Sequence, residues 1–107
     1  MSIDRFITWK KPPTRLQVHA AIVAFFGPEL PPATNSRHWV IRLPGKNLRC
    51  VDPPSGINEY RWIEVYHDSK LTTSVLTRQQ DEFTSSVADG LARSLARQFK
   101  GKVEWPT

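Results

Sequence analysis

Residues 59–66 read Glu-Tyr-Arg-Trp-Ile-Glu-Val-Tyr, and they form the strongest strand signal in the chain. β-branched and aromatic residues of this kind are enriched in strands. Side chains alternate between the two faces of a strand, which separates the segment into two groups. One face carries the aromatic residues and a carboxylate: Tyr60, Trp62, Glu64 and Tyr66. The other face carries Arg61, Ile63 and Val65. Both faces are bulky, whereas a sheet with one wet face shows apolar and polar residues in alternation.

Five further segments predict strands from their composition and alternation. They are residues 3–9, 38–43, 48–51, 71–76 and 102–105. Pro44-Gly45-Lys46-Asn47 predicts a hairpin loop between the second and third of these segments. Within residues 38–43, one face holds Trp39, Ile41 and Leu43. The opposite face holds His38, Val40 and Arg42, beside the aromatic face of residues 59–66.

The first predicted helix begins at Thr14-Arg-Leu-Gln17, a capping box in which the threonine and glutamine side chains satisfy first-turn amides. Gly27 followed by Pro28 ends it, because proline cannot continue a helix. Apolar residues at helical spacing predict its buried stripe. That stripe consists of Leu16, Ala20, Val23 and Phe26, widened by Ile22.

The second predicted helix begins at another capping box, Thr77-Arg-Gln-Gln80, and ends at Gly101. Its apolar residues recur every four positions and predict a stripe that faces the core. The stripe consists of Phe83, Val87, Leu91, Leu95 and Phe99, with Ala88 and Ala92 beside it.

The order of these elements, β-α-β-(β)-β-β-α-β, predicts an α+β fold with two helices packed on a mainly antiparallel sheet of four to six strands. A chain of 107 residues suffices for one hydrophobic core, so residues 1–107 are expected to form a single domain.

The longest apolar run, residues 20–26, is far too short to span a bilayer, and no membrane partner is expected. A single cysteine, Cys50, and the lack of an apolar leader favour the cytoplasm.

A binding face follows if both helices cover the same side of the sheet. The other side would then present an aromatic patch with basic neighbours: Trp62, Tyr60, Tyr66, Arg42 and His38. Aromatic residues and arginine are enriched at protein interfaces, and tryptophan is frequent among the residues that dominate binding energy. Four tryptophans in 107 residues support this interpretation, with Trp62 as the anchor. The alternative is that loops, or one helix on each side, cover the aromatic residues as ordinary core.

Catalytic signals are sparse. The five glycines cannot form a phosphate-binding loop, and the three histidines and Cys50 lack metal-ligand spacing, so neither a metal nor a cofactor is expected. Cys50 with His67 or His38 supplies the residue types of a nucleophile and its base, although a lone cysteine usually packs as a small hydrophobe. Glu64 is the other candidate for a catalytic group, or it pairs with Arg42 across the sheet.

Nucleic acid is a second class of partner. The net charge is +5, and the excess of basic residues lies in residues 1–53. Arg93, Arg97 and Lys100 also form a basic ridge on the second helix. Aromatic residues on a sheet can stack unpaired bases, but Glu64 on the same face would repel phosphate. Alternatively, the charge serves solubility alone.

The sequence therefore predicts a small non-enzymatic module that binds a protein through the sheet face, either a second copy of itself as a homodimer or a foreign partner. Its size suits a bacterial accessory protein of the immunity type, which neutralises a toxin by binding it, although this is analogy without a motif. A single-stranded nucleic-acid-binding domain is one alternative. A small enzyme with Cys50 or Glu64 in its site is the other.

Overall fold

Six strands and two helices make up the part of the chain that the computed structural model describes: residues 3–27, 33–35, 37–43, 61–67, 71–77 and 82–106. The strands are β1 (Ile3–Thr8), β2 (Ala33–Asn35), β3 (His38–Leu43), β4 (Arg61–Tyr66), β5 (Thr72–Thr77) and β6 (Lys102–Glu104). The helices are α1 (Arg15–Phe26) and α2 (Glu82–Phe99).

The strands form one sheet in the order β2-β3-β4-β5-β1-β6, and every neighbouring pair is antiparallel. The predicted α+β fold, with two helices and an antiparallel sheet, is thus confirmed, and the order of its elements matches approximately. Strand β2 is not among the predicted strands, because its three residues are too few to show an alternation. The predicted loop at residues 44–47 and strand at residues 48–51 lie outside the described residues.

Both helices pack on the same face of the sheet. Trp39 and Ile41 of β3 and Val65 of β4 are fully buried on that face, as the alternation in the sequence predicts. They belong to one apolar cluster with residues of both helices. The helical members are Val18, Ala21, Ile22, Ala88, Leu91, Ala92, Leu95 and Ala96.

Helix α1 has the predicted capping box but only part of the predicted buried stripe: Ile22 is fully buried and Phe26 packs against the core. Thr14 Oγ1 accepts a hydrogen bond from the Gln17 amide at 3.2 Å, and Gln17 Oε1 accepts one from the Thr14 amide at 2.8 Å. Leu16, however, is 71% exposed, and Ala20 is exposed as well. The buried residues are Val18, Ala21 and Ile22. Apolar residues surround most of α1, so its periodicity did not determine which side would face the sheet.

The predicted capping box at the start of the second helix is wrong. Thr77 is the last residue of β5, and its buried Oγ1 accepts a hydrogen bond from Arg5 Nη1 at 3.3 Å. The predicted stripe of α2 is correct at Leu91 and Leu95, whereas Phe83 is 52% exposed. Val87 and Phe99 are only partly buried. Ala88 and Ala92, which were predicted to lie beside the stripe, are fully buried, and the small residues Thr84 and Ala96 are buried with them.

A close approach at Gly101 directs the chain from α2 into β6. A Cβ atom at this position would overlap the ring of Trp9 and the side chain of Ile7. The Gly101 amide donates to the Ala96 carbonyl at 2.8 Å, which closes the end of the helix. Glycine therefore allows β6 to pair with β1 directly beneath the helix, and it sets the position of the C-terminal segment.

Candidate binding face of the sheet

The distal face is defined as the face of the sheet that points away from α1 and α2. Its described residues alternate along each strand with the buried residues of the core. They are Asp4, Phe6 and Thr8 of β1; His38, Val40 and Arg42 of β3; Trp62, Glu64 and Tyr66 of β4; Thr72, Ser74 and Leu76 of β5; and Lys102 and Glu104 of β6. The sequence predicts an exposed binding face only if both helices cover the same side of the sheet, and the structure has this arrangement.

A buried carboxylate organises the centre of the distal face. Glu64 is only 7% exposed, although it lies on the side opposite the helices. Its carboxylate accepts hydrogen bonds from Trp62 Nε1 at 3.3 Å and Tyr66 Oη at 3.2 Å. His38 Nε2 lies 3.2 Å from Glu64 Oε1 and donates to it. Three neighbouring rings thus point their polar atoms at one acceptor.

Two of these rings are also stacked. The imidazole of His38 and the phenol of Tyr66 lie directly opposite each other in the β3–β4 register. Their ring centroids are 4.0 Å apart and their planes differ by 9°. Stacking and the shared hydrogen-bond acceptor together hold both rings in one orientation. The result is a preorganised aromatic surface on β3 and β4.

The structure brings together three of the five residues that the sequence selected. His38, Trp62 and Tyr66 surround Glu64 and are each partly exposed. Arg42 is exposed and lies opposite Trp62 in the register. Tyr60 lies outside the described residues. Among the described contacts, the carboxylate of Glu64 meets His38, one diagonal neighbour on β3, and no contact with Arg42, the other diagonal neighbour, is seen.

Phe6 extends the aromatic character of the distal face to β1, and it was not among the predicted site residues. It is 41% exposed and lies opposite Ser74 of β5. The alternation in residues 3–9 already separates it from the buried Ile7, so a signal for it exists in the sequence. The sequence alone does not show that β1 pairs with β5, and this pairing places Phe6 beside the residues of the distal face.

The charges of the distal face are mixed. Among the described residues, it carries the carboxylates of Asp4, Glu64 and Glu104 and the cations of Arg42 and Lys102. Nucleic-acid-binding surfaces collect Lys and Arg because phosphate contacts supply most of the affinity. The described part of this face therefore carries a mixture of acidic and basic groups rather than a run of basic residues.

The other nucleic-acid candidates lie on α2. Arg93, Arg97 and Lys100 are all exposed, as expected for a solvated helix face. Arg93 packs over the indole ring of Trp105, with 4.8 Å from its guanidinium carbon to the ring centroid. The three cations therefore differ in their surroundings, since Arg93 has an aromatic partner.

His67 holds the structure together through both of its ring nitrogens. It is 2% exposed, and its Nε2 donates to the Pro13 carbonyl at 2.8 Å. Its Nδ1 is hydrogen-bonded to the hydroxyl of Thr73. Thr73 Oγ1 in turn accepts from Trp9 Nε1 at 2.8 Å. Neither nitrogen of His67 is left for the base of a cysteine nucleophile, and Cys50 lies outside the described residues.

Within these same described ranges, no three His, Cys, Asp or Glu side chains gather in a group that could hold a metal ion. Neither helix that the structure describes is both long and apolar enough to cross a membrane. Searches for similarity to known proteins found no matching family model, no matching curated protein and no matching solved structure.

Proposed function

We propose that this protein is a non-enzymatic binding module that recognises another protein chain through the distal face of its sheet. The observation that carries the proposal is the arrangement around Glu64. Trp62, Tyr66 and His38 direct their polar atoms to one buried carboxylate and remain partly exposed themselves.

This arrangement reduces the free-energy cost of covering the face. A Trp or Tyr that loses water on binding usually needs a new partner for its N–H or O–H. Here the indole of Trp62 and the phenol of Tyr66 already have an acceptor within the protein. Their rings are also held in place, so little side-chain entropy remains to be lost on association. Such rigid aromatic residues are typical anchors of protein interfaces.

The charges favour a protein partner over nucleic acid. Arg42 stands exposed beside Trp62, while Asp4 and Glu104 lie on the far strands of the same face. A protein surface can complement charges of both signs, whereas a phosphate backbone cannot. The partner is either a second copy of this chain or a foreign protein. As the single cysteine suggests, the same proposal places the module in the cytoplasm.

The variant Trp62→Ala tests the proposal. Loss of an anchor residue costs about 2 kcal/mol or more of binding free energy, which weakens association by about 30-fold. Because Trp62 is partly exposed, we expect its loss to cost the fold less than the about 3–5 kcal/mol of a buried aromatic residue. Sedimentation velocity of the purified chain over a range of concentrations measures self-association. Quantitative affinity purification measures capture of a foreign protein.

Leu16→Ala is the matched control, because Leu16 is an exposed apolar residue of α1 on the helical side of the molecule. We expect it to leave association within about threefold of the parent protein, as for residues outside an interface. The proposal would be contradicted if Leu16→Ala weakened association as much as Trp62→Ala, or if Trp62→Ala had no effect. Unfolding by Trp62→Ala would place the residue in the core and remove the proposed anchor.

A further inference from the structure

A groove lies at the β6 edge of the sheet, on the helical side and away from the distal face. Its volume is about 430 Å³, and it is widely open to solvent. Residues of β1, α2 and the segment after β6 line it: Ile3, Arg5, Ser85, Asp89, Arg93, Trp105 and Pro106. None of these residues belongs to the site described above, so any function of the groove is independent of the proposed one.

The groove exists because β6 is shorter than β1. Strand β6 pairs with β1 only from Phe6 to Thr8. Beyond Glu104 the chain leaves the strand, and Trp105 and Pro106 form a wall opposite α2. The first residues of β1 therefore have no β6 partner, and Ile3 and Arg5 line the groove instead.

Arg93 presents unused hydrogen-bond donors in the groove. Its guanidinium lies over the indole of Trp105 at 4.8 Å and is exposed to solvent. An indole ring has no hydrogen-bond acceptor atom, so this contact leaves the N–H groups of the guanidinium available. In the described contacts, Arg93 donates to no acceptor. Two adjacent N–H groups of an arginine match the two oxygens of a carboxylate.

A second guanidinium lies at the floor of the groove. Arg5 is 2% exposed, and its Nε donates to Asp89 Oδ1. Its Nη1 donates to the Ile3 carbonyl at 3.1 Å and to Thr77 Oγ1 at 3.3 Å. Its Nη2 reaches only the Ser85 carbonyl, at 3.5 Å. In the described contacts, one of the five N–H groups of this buried residue therefore has no acceptor.

The charges of the lining determine the kind of ligand. Arg5 and Arg93 oppose a single carboxylate, that of Asp89, so one positive charge is left uncompensated. Ile3, Trp105 and Pro106 supply apolar surface beside it. We propose that this groove binds a small organic monocarboxylate with a flat apolar group. The carboxylate contacts the edge of Arg93, and the apolar group lies against the apolar wall. Asp89 disfavours a dianion such as phosphate.

Titration followed by nuclear magnetic resonance tests this site with benzoate as the probe. The indole N–H signal of Trp105 is assigned by its loss in Trp105→Phe. We expect this signal to shift on addition of benzoate and to saturate, with a dissociation constant on the order of 1 mM for so small a ligand. Benzamide, which lacks the charge, and inorganic phosphate should both bind about tenfold more weakly.

The matched pair of variants is Arg93→Gln and Arg97→Gln, because both residues are exposed cations of α2 and only Arg93 lines the groove. Arg93→Gln should weaken benzoate binding by about tenfold, and Arg97→Gln should leave it within about twofold. The site would be refuted by a benzoate shift that does not saturate, by equal binding of benzamide or phosphate, or by equal effects of the two variants.

Discussion

Asp89→Ala is expected to lower the free energy of unfolding by about 3 kcal/mol, because it leaves the guanidinium of Arg5 buried without its counter-charge. Arg5 is 2% exposed and joins β1 to α2 through this ion pair. Asp89 is 34% exposed, which places the expected loss at the lower end for a broken buried pair. Urea denaturation followed by far-ultraviolet circular dichroism measures the loss.

A second substitution separates the orphaned charge from a general weakening of α2. Replacing both residues, Arg5→Met with Asp89→Ala, removes the buried charge, and we expect it to recover most of the lost stability. Glu82→Ala is the control, since Glu82 is an exposed carboxylate in the first turn of the same helix. It should cost about 0.3–1 kcal/mol through the helix dipole. If the double variant were as unstable as Asp89→Ala, the buried-charge explanation would fail.

Trp39→Ala is expected to have the largest effect on the fold, a loss of about 3–5 kcal/mol. Trp39 is the largest of the fully buried side chains, and its Nε1 donates to His19 Nδ1 at 3.0 Å. It thereby connects β3 to α1. Small domains have a total free energy of unfolding of about 5–15 kcal/mol, so this one substitution removes a large part of it. The variant should unfold at a much lower urea concentration than the parent protein.

Trp105→Ala provides the comparison for Trp39→Ala, because Trp105 is 41% exposed. Its loss should cost about 1 kcal/mol, as for residues outside the core. Should Trp39→Ala be too unstable to purify, Trp39→Phe keeps most of the ring volume and gives a measurable intermediate value. If Trp39→Ala and Trp105→Ala lowered the free energy of unfolding equally, the burial of Trp39 between the sheet and the helices would be contradicted.

Alternation of side chains along the strands is the most informative pattern in the sequence. It assigns Trp39 and His38 to opposite faces, and likewise Ile63 and Trp62, and the structure places each residue on the corresponding face. Alternation works here because a strand places every second residue on the same side, whatever its neighbours are. The two sides of each strand were therefore predictable from the sequence, whereas the packing of both helices on one face and the order of the strands came from the structure.

The helices and the ion pairs were less predictable, for physical reasons. Helix α1 has apolar residues on several sides, so tertiary packing rather than periodicity buried Val18 and exposed Leu16. Thr77 has the right spacing for a cap, but it belongs to β5 and is paired with Ile3 and Ile63 in the sheet. The pair Arg5–Asp89 joins residues 84 positions apart, which no local pattern records.

The most direct measurement of binding by the distal face is site-specific photo-crosslinking. A photoreactive benzoylphenylalanine replaces Arg42 in one variant and Arg97 in a second, since both are exposed cations on opposite sides of the molecule. We predict that position 42 yields a discrete protein adduct, of twice the chain mass for a second copy or of another mass for a foreign protein, and that position 97 yields none. Adducts of equal yield at both positions, or at position 97 alone, would contradict the proposal that the distal face binds a protein.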